Sequence, residues 1–335
     1  MHKRRGVFVL LLLALVAALA LALAVGPYPL TLADVLHAAQ RAFGGEVGAP
    51  TTGEIVFDRV RLPRVCAGML VGAALAGAGA TYQTLFRNPL VSPDILGVAS
   101  GAGLGAVVGI LFSLPVAGIQ TLAFLGGLLT VALVYLIAAA LRGHDRTLVL
   151  VLGGVVVGAL AGACISLVKI LADPYDQLPA ITFWLLGSLA GVKLSDLAVA
   201  APLVLAGLVP MVLYRWRIGV LSLGDDEARA LGVHVVRLRA AVIAAATLMT
   251  ASVVAIAGVI GWIGLMIPHI ARMLVGPNFD RLLPAAMLLG ASFMLVVDTL
   301  GRSLARVETP IGILTALLGA PFFLWLLARG RRTWG

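Results

Sequence analysis

Charged side chains are scarce in this 335-residue chain: 12% of its residues are Asp, Glu, Lys or Arg, against about 25% in an ordinary soluble domain. Cysteine is scarcer still. Cys66 and Cys164 each sit inside an apolar run, which excludes a disulfide framework and any Cys-based metal spacing and leaves them as small packing residues. No Walker-type phosphate loop, HExxH or GxSxG occurs, and no paired carboxylates stand at helical spacing within an apolar run. The chain therefore has no recognisable nucleotide-binding, zinc-protease or serine-hydrolase motif, and no metal site is expected.

What fills the chain instead is apolar. Hydrophobic residues make up 61% and mean hydropathy is +1.09, with 39 glycines and 16 prolines. Membrane helices tolerate Gly and Pro better than soluble ones do, so the fold class is all-α, a polytopic membrane protein. A spanning helix needs about 20 apolar residues to cross a core of about 30 Å. Ten runs qualify, near 7–25, 63–81, 92–112, 116–141, 148–171, 191–214, 239–258, 259–275, 282–301 and 311–328. The seventh and eighth are separated only by Gly258-Val259-Ile260-Gly261. The first follows Lys3-Arg4-Arg5, and although Ala22-Leu23-Ala24 resembles a signal-peptidase site, its apolar stretch exceeds the ~7–15 residues of a signal sequence. It reads as a retained helix.

Charge sets the orientation. With the N-terminus inside and ten spans, sixteen of the 24 Lys and Arg residues fall on the cytoplasmic side, as the positive-inside rule expects. The basic tail Arg329-Gly330-Arg331-Arg332 also places the C-terminus inside. Residues 1–335 form a single transmembrane domain with two long extramembrane segments: 26–60 outside and 215–238 inside. In the inner segment Ser222 is placed to cap a short helix, Asp225, Asp226 and Glu227 suit its first turn, and Gly232 its end. Such a helix exposes Ala228, Leu231 and Val233 and docks on a partner or on lipid. A solvated loop is the alternative.

Small residues recur at four-residue spacing: Gly68 and Gly72; Gly101, Gly105 and Gly109; Gly154, Gly158 and Gly162. This spacing lets helix backbones approach closely in lipid. Prolines, Pro63, Pro89, Pro93, Pro268 and Pro321 among them, are expected to mark helix ends. The run Thr182–Leu189 after Asp173-Pro174 is too short to cross and reads as a half-helix at the outer mouth, with Phe183, Trp184 and Gln83 as weak candidates for a pathway lining. Ionisable residues at membrane depth are few, Lys169 and Asp298 lying near span ends. An ion-coupled transporter is expected to place carboxylates or histidines near the midplane, so the energy is expected to come from another chain.

Several ordered motifs resemble the FecCD family: Arg61-Leu62-Pro63-Arg64; Gln83 with Asn88-Pro89-Leu90; Leu96-Gly97-Val98-Ala99-Ser100-Gly101; Leu223-Gly224 with Ala228-Arg229-Ala230-Leu231-Gly232; Gly261-Trp262-Ile263-Gly264-Leu265-Met266-Ile267-Pro268-His269; and Glu308-Thr309-Pro310. The resemblance covers about residues 55–328. It implies a fold like the vitamin B12 importer permease, the membrane subunit of an ATP-binding-cassette importer for ferric siderophore, haem or cobalamin. It is not itself an enzyme, and no cofactor is expected in this chain. ATP-Mg belongs to two cytoplasmic ATPase subunits. A second permease subunit, expected as a homodimer, and a periplasmic substrate-binding protein complete the implied partners; nucleic acid is not among them.

The resemblance assigns Arg61, Arg64 and Arg302 to binding-protein docking, interfacial snorkelling being the plainer alternative. It assigns Asn88, Leu90 and, where the motif match is poor, Thr147 to a cytoplasmic gate. Leu223, Gly224, Asp226, Ala228, Arg229, Leu231 and Gly232 fall to ATPase coupling, with His269 and Arg272 as a neighbouring contact. An oxyanion importer of the same family, molybdate-like, and a self-contained secondary transporter are the alternatives.

Overall fold

The structure is a computed structural model that describes residues 2–42, 49–141, 146–304 and 307–330. These form helices joined by short loops, with no strand among them. In chain order the α-helices are α1 (His2–Ala24), α2 (Leu32–Ala42), α3 (Thr52–Val56), α4 (Leu62–Leu85), α5 (Val98–Leu111), α6 (Val116–Ala140), α7 (Arg146–Leu171), α8 (Gln177–Leu186), α9 (Leu194–Leu213), α10 (Arg215–Leu221), α11 (Asp225–Ala230), α12 (Val235–Ala257), α13 (Ile263–Val275), α14 (Phe279–Gly301) and α15 (Ile311–Gly330). All ten apolar runs are helices. Seven are long enough to cross a bilayer; α5, α13 and α15 are shorter apolar helices, as is the half-helix α8.

α4 is the axis. From Pro63 to Leu85 almost every residue is buried, and α14, α12 and α13 pack around it. It can be central because it is small: Gly72 faces Gly290 of α14 with backbone against backbone, and Gly79 faces the carbonyl of Gly264 in α13. In lipid this packing, rather than water exclusion, drives helix association. Polar residues at this depth are satisfied internally. Thr81, Thr84, Thr250, Ser292 and Thr299 each donate to the carbonyl four residues back, so none of these hydroxyls is left bare in hydrocarbon.

Three expectations are corrected. The third span does not start at 92. Beyond α4 the chain turns at Arg87–Leu90 and climbs back into the bundle, where Pro93–Leu96 forms one 3₁₀ turn and Gly97 (φ +80°) redirects the chain into α5. Pro93 lies against Gly264, beside the Leu75 carbonyl, ten residues and roughly 15 Å back from the end of α4. Pro268 and Pro321 do not end helices but lie inside α13 and α15. Of the three glycines at four-residue spacing in α7, only Gly154 meets backbone, at Ile95; Gly158 has only Ser100 near, and Gly162 has nothing within 4 Å.

The break between α12 and α13 falls where it was expected. α12 ends at Ala257, Gly258 takes φ +72° against the Trp184 carbonyl, and α13 starts level with the middle of α4. The 26–60 segment is also built. Thr31 and Asp34 exchange hydrogen bonds at the start of α2, and these donations, the Thr31 hydroxyl first, hold the Asp34 carboxyl below the usual carboxylate range. Buried Glu54 of α3 accepts from Arg41 at 2.7 Å.

Candidate functional site

Helix directions gather the sequence-predicted residues at two opposite ends of the bundle. At the first end lie the end of α1, the start of α4 and the end of α14. Arg61, Arg64 and Arg302 come together there, and all three are buried, at 3%, 7% and 7% exposure. Arg61 donates to the carbonyls of Leu23 (2.6 Å), Val25 (3.0 Å) and Tyr28 (2.8 Å), and Arg302 to that of Ala22. Together they close the carbonyl end of α1, where bare acceptors and the helix dipole favour cations. Gly26 lies between them, and a Cβ there would meet both guanidinium groups, so that the two arginine ends would have to shift.

Arg64 serves different partners. Its Nε and Nη2 grip both oxygens of Asp298 at 2.8–2.9 Å, and its Nη1 and Nη2 reach Glu308. The Nε of Arg302 stands 3.6 Å from Asp298, without a hydrogen bond. Three cations thus share two carboxylates around a cavity of about 690 Å³ whose rim includes Gly26, Val60 and Ser303. In this structure the arginines are engaged by their own chain, not presented free at a surface. Sequence reasoning missed that engagement, although Asp298 gave a signal: a carboxylate in an apolar helix needs a cationic partner.

At the other end, α10 and α11 replace the single helix expected in 215–238. Ser222 does not cap α11; its hydroxyl donates to Gly219, and Gly224, at φ +142°, starts the helix with Asp225, Asp226 and Glu227 in its first turn. Gly232 ends it as expected. At φ +79° it allows the Gly232 and Val233 amides to donate to Arg229 and Ala228, a paired closure that a left-handed residue makes possible.

The exposed face differs from expectation. Ala228 and Val233 are buried, because the Arg239–Asp225 ion pair (2.9 Å) folds α11 back on α12. Leu223 and Leu231 are the apolar side chains turned outward, at 61% and 52% exposure, and Asp226 pairs outside with Arg229 at 2.7 Å. Beside Leu223 a cleft of about 330 Å³ opens between α10 and the Pro277–Asp280 turn, with Trp216 at its edge.

Asn88 folds its side chain onto the Leu90 amide at 2.9 Å, leaving Leu90 exposed at the bundle end. Thr147 lies in the first turn of α7, half-buried; residues 142–145, which include the Asp145 part of that expectation, lie outside the described residues. Gln83 faces no open space here. It is wholly buried, donating to the Leu265 carbonyl at 3.0 Å and accepting from Arg272. His269 packs against Phe322 and Phe323. Phe183 is exposed, whereas Trp184 is half-buried near the break at Gly258. Asp94, which sequence reasoning passed over, sits exposed on the re-entrant 3₁₀ turn, the one carboxylate of the Arg87–Gly97 segment. The Ser92-Pro93-Asp94 turn signal is what could have found it.

A bundle of apolar helices, seven of them long enough to cross a bilayer, with broken helices at its centre and a short-helix platform at one end, is a membrane transport subunit. The chain belongs to the FecCD transport family, which matches residues 12–329, and is an importer permease of the ABC type. It is 41% identical over 303 residues to the cobalamin import system permease protein BtuC of Halobacterium salinarum, covering 90% of this chain and 80% of that one. It is 43% identical to the molybdate import system permease protein MolB of Haemophilus influenzae (84% and 83% covered), and 39% to the hemin transport system permease protein HmuU of Yersinia pestis (82% and 84%). A solved structure described as an inward-facing conformation of an ABC transporter of metal-chelate type superposes with TM-score 0.86 at 39% identity, over 97% of this chain and 99% of that one.

Proposed function

We propose that this permease carries a metal chelate (ferric siderophore, haem or cobalamin) across the inner, or plasma, membrane, from a periplasmic binding protein to the cytoplasm. It works as a homodimer, with both termini cytoplasmic, and is driven by ATP-Mg hydrolysis in two separate ATPase chains. The observation that carries the cargo class is the near full-length likeness to a transporter of metal-chelate type. Molybdate is the second reading, favoured by the 43% identity to a molybdate permease.

The homodimer is supported by α7. Leu152, Val156 and Leu160 form an exposed apolar stripe, and Gly162 of the same helix has nothing within 4 Å of an added Cβ. The α10–α11 platform suits the ATPase, since its cleft and the exposed Trp216, Leu223 and Leu231 are apolar surface at an aqueous end. The arginine cavity at the other end carries one cation in excess, which suits an acidic side chain of the binding protein at its mouth.

Reconstituted alone in vesicles, the chain should move no cargo uphill. With its ATPase and binding protein, uptake should require ATP, be blocked by vanadate, and be competed by the chelate and not by molybdate. Concentrative uptake by the lone chain overturns the ATP-driven reading, and competition by molybdate alone overturns the cargo. Leu231→Asp should strip the ATPase from the purified complex. Exchanging a docked leucine for a charge forfeits about 2 kcal/mol or more, at least about thirtyfold in affinity. Stoichiometric ATPase retained by the variant refutes that contact.

A further inference from the structure

We propose that a groove between α6 and α12 is a binding site for one anionic phospholipid, its phosphate on Arg239 and one acyl chain laid along the two helices. The groove has two parts that share Tyr135. The first, about 140 Å³, lies where α6 ends and α12 begins, between Ala138, Leu150, Val236 and Arg239. The second, about 420 Å³, continues inward along α12 to Ala244 and Thr247, with apolar walls from Leu128 to Leu136. From Val236 to Thr247 the path runs about 16 Å, close to half of a hydrocarbon core of about 30 Å. That is the depth of one leaflet, entered from the end that carries α10 and α11.

The head of the groove is charged and incompletely satisfied. Arg239 is 8% exposed, and its Nη2 holds Asp225 at 2.9 Å. Its Nε is buried with no hydrogen-bond partner. Asp225 thus engages Nη2 alone and leaves the neighbouring Nε–H, on the same edge of the guanidinium, without an acceptor. Of the other charges nearby, Asp226 is turned outward onto Arg229. A buried donor without an acceptor is costly, and a phosphate oxygen is the acceptor a membrane supplies at this level. Basic pockets between membrane helices on the cytoplasmic side take anionic head groups for this reason.

A helix of a second copy is the competing occupant. It fits the apolar part, where Ala240 and Ala244 leave room, but offers the Nε of Arg239 nothing. The proposal does not depend on which cargo is carried.

The test is native mass spectrometry of the full chain, stripped of lipid in detergent and titrated with phosphatidylglycerol or phosphatidylcholine. One phosphatidylglycerol should bind per chain, about tenfold tighter than phosphatidylcholine. Ala244→Trp, a change at an exposed position that fills the groove, should lower occupancy about tenfold or more. Arg239→Gln should erase the preference between the two lipids. Because Arg239→Gln also breaks the Asp225 pair, Ala244→Trp stands as the independent arm. Wild-type occupancy in Ala244→Trp, or equal binding of the two lipids to the unaltered chain, overturns the proposal. So does disulfide cross-linking of Ala244→Cys between copies in native membranes, which gives the groove to a subunit interface.

Discussion

Asp298→Ala is expected to destabilise the isolated chain by about 3–5 kcal/mol, because it removes one partner of a buried ion pair and leaves the other charge uncompensated. Arg64 gives Asp298 three hydrogen bonds of 2.8–2.9 Å, and both side chains are almost fully buried. Without Asp298, three arginines share Glu308 alone, and of the three Glu308 holds Arg64. The measurement is unfolding by denaturant in detergent, as a cycle of Asp298→Ala, Arg64→Ala and the double variant. The double should cost less than the sum of the singles by about 1–3 kcal/mol, the range for residues in direct contact. Additive costs would refute the coupling.

This result bears on docking. Loss of uptake in Arg64→Glu would not distinguish a lost binding-protein contact from a fold in which the introduced carboxylate is set against Asp298 and Glu308. Arg61 closes the end of α1 through backbone carbonyls rather than through a carboxylate. Its reversal to glutamate puts an anion against those carbonyls and carries the same ambiguity. Docking is better probed at the exposed rim, at Val60 or Ser303, where a substitution leaves the ion pairs between helices in place.

The ten apolar runs and their order were legible because each lies between polar breaks, and even Gly258–Gly261 marked its break correctly, although only seven of the helices they form are long enough to span. What was not legible was depth. The 92–97 stretch runs straight into the apolar residues of α5, yet Pro93 and Gly97 make it a re-entrant turn, a consequence of how closely Gly264 lets it approach α4. The platform illustrates the same limit. The acidic first turn and Gly232 were readable, since caps are local chemistry. The facing of α11 was not, because it depends on the Asp225–Arg239 contact across 14 residues. For Arg64, residue type pointed outward while its partners lay more than 200 residues away at Asp298 and Glu308. Long-range pairing leaves little mark on a single sequence.

The glycine motifs look alike in sequence, and the structure separates them by sign. Gly→Ala within a helix ordinarily stabilises by about 1 kcal/mol through propensity alone. At Gly72 the new methyl would lie 2.7 Å from the Gly290 carbonyl carbon, and the reciprocal change at Gly290 would meet the Gly72 carbonyl. Both obstacles are backbone, so relief requires α4 and α14 to separate along the bundle's principal contact. Overpacking a core costs about 1–3 kcal/mol where side chains can give, and occasionally more. Gly72→Leu is therefore expected to exceed about 3 kcal/mol and to leave little folded chain, while Gly72→Ala is destabilising despite its better propensity.

Gly162 is the control, because nothing lies within 4 Å of its added Cβ. Gly162→Ala should be neutral or stabilising in the isolated chain. Detergent unfolding of both alanine variants reads the two signs directly, and a stabilised Gly72→Ala would mean that α4 and α14 do not meet backbone to backbone. Gly162→Leu adds a separate outcome. If α7 seats a second copy, its bulk should lower the dimer fraction in membranes while leaving monomer unfolding unchanged. An unaltered dimer fraction would move the subunit contact off this face of α7.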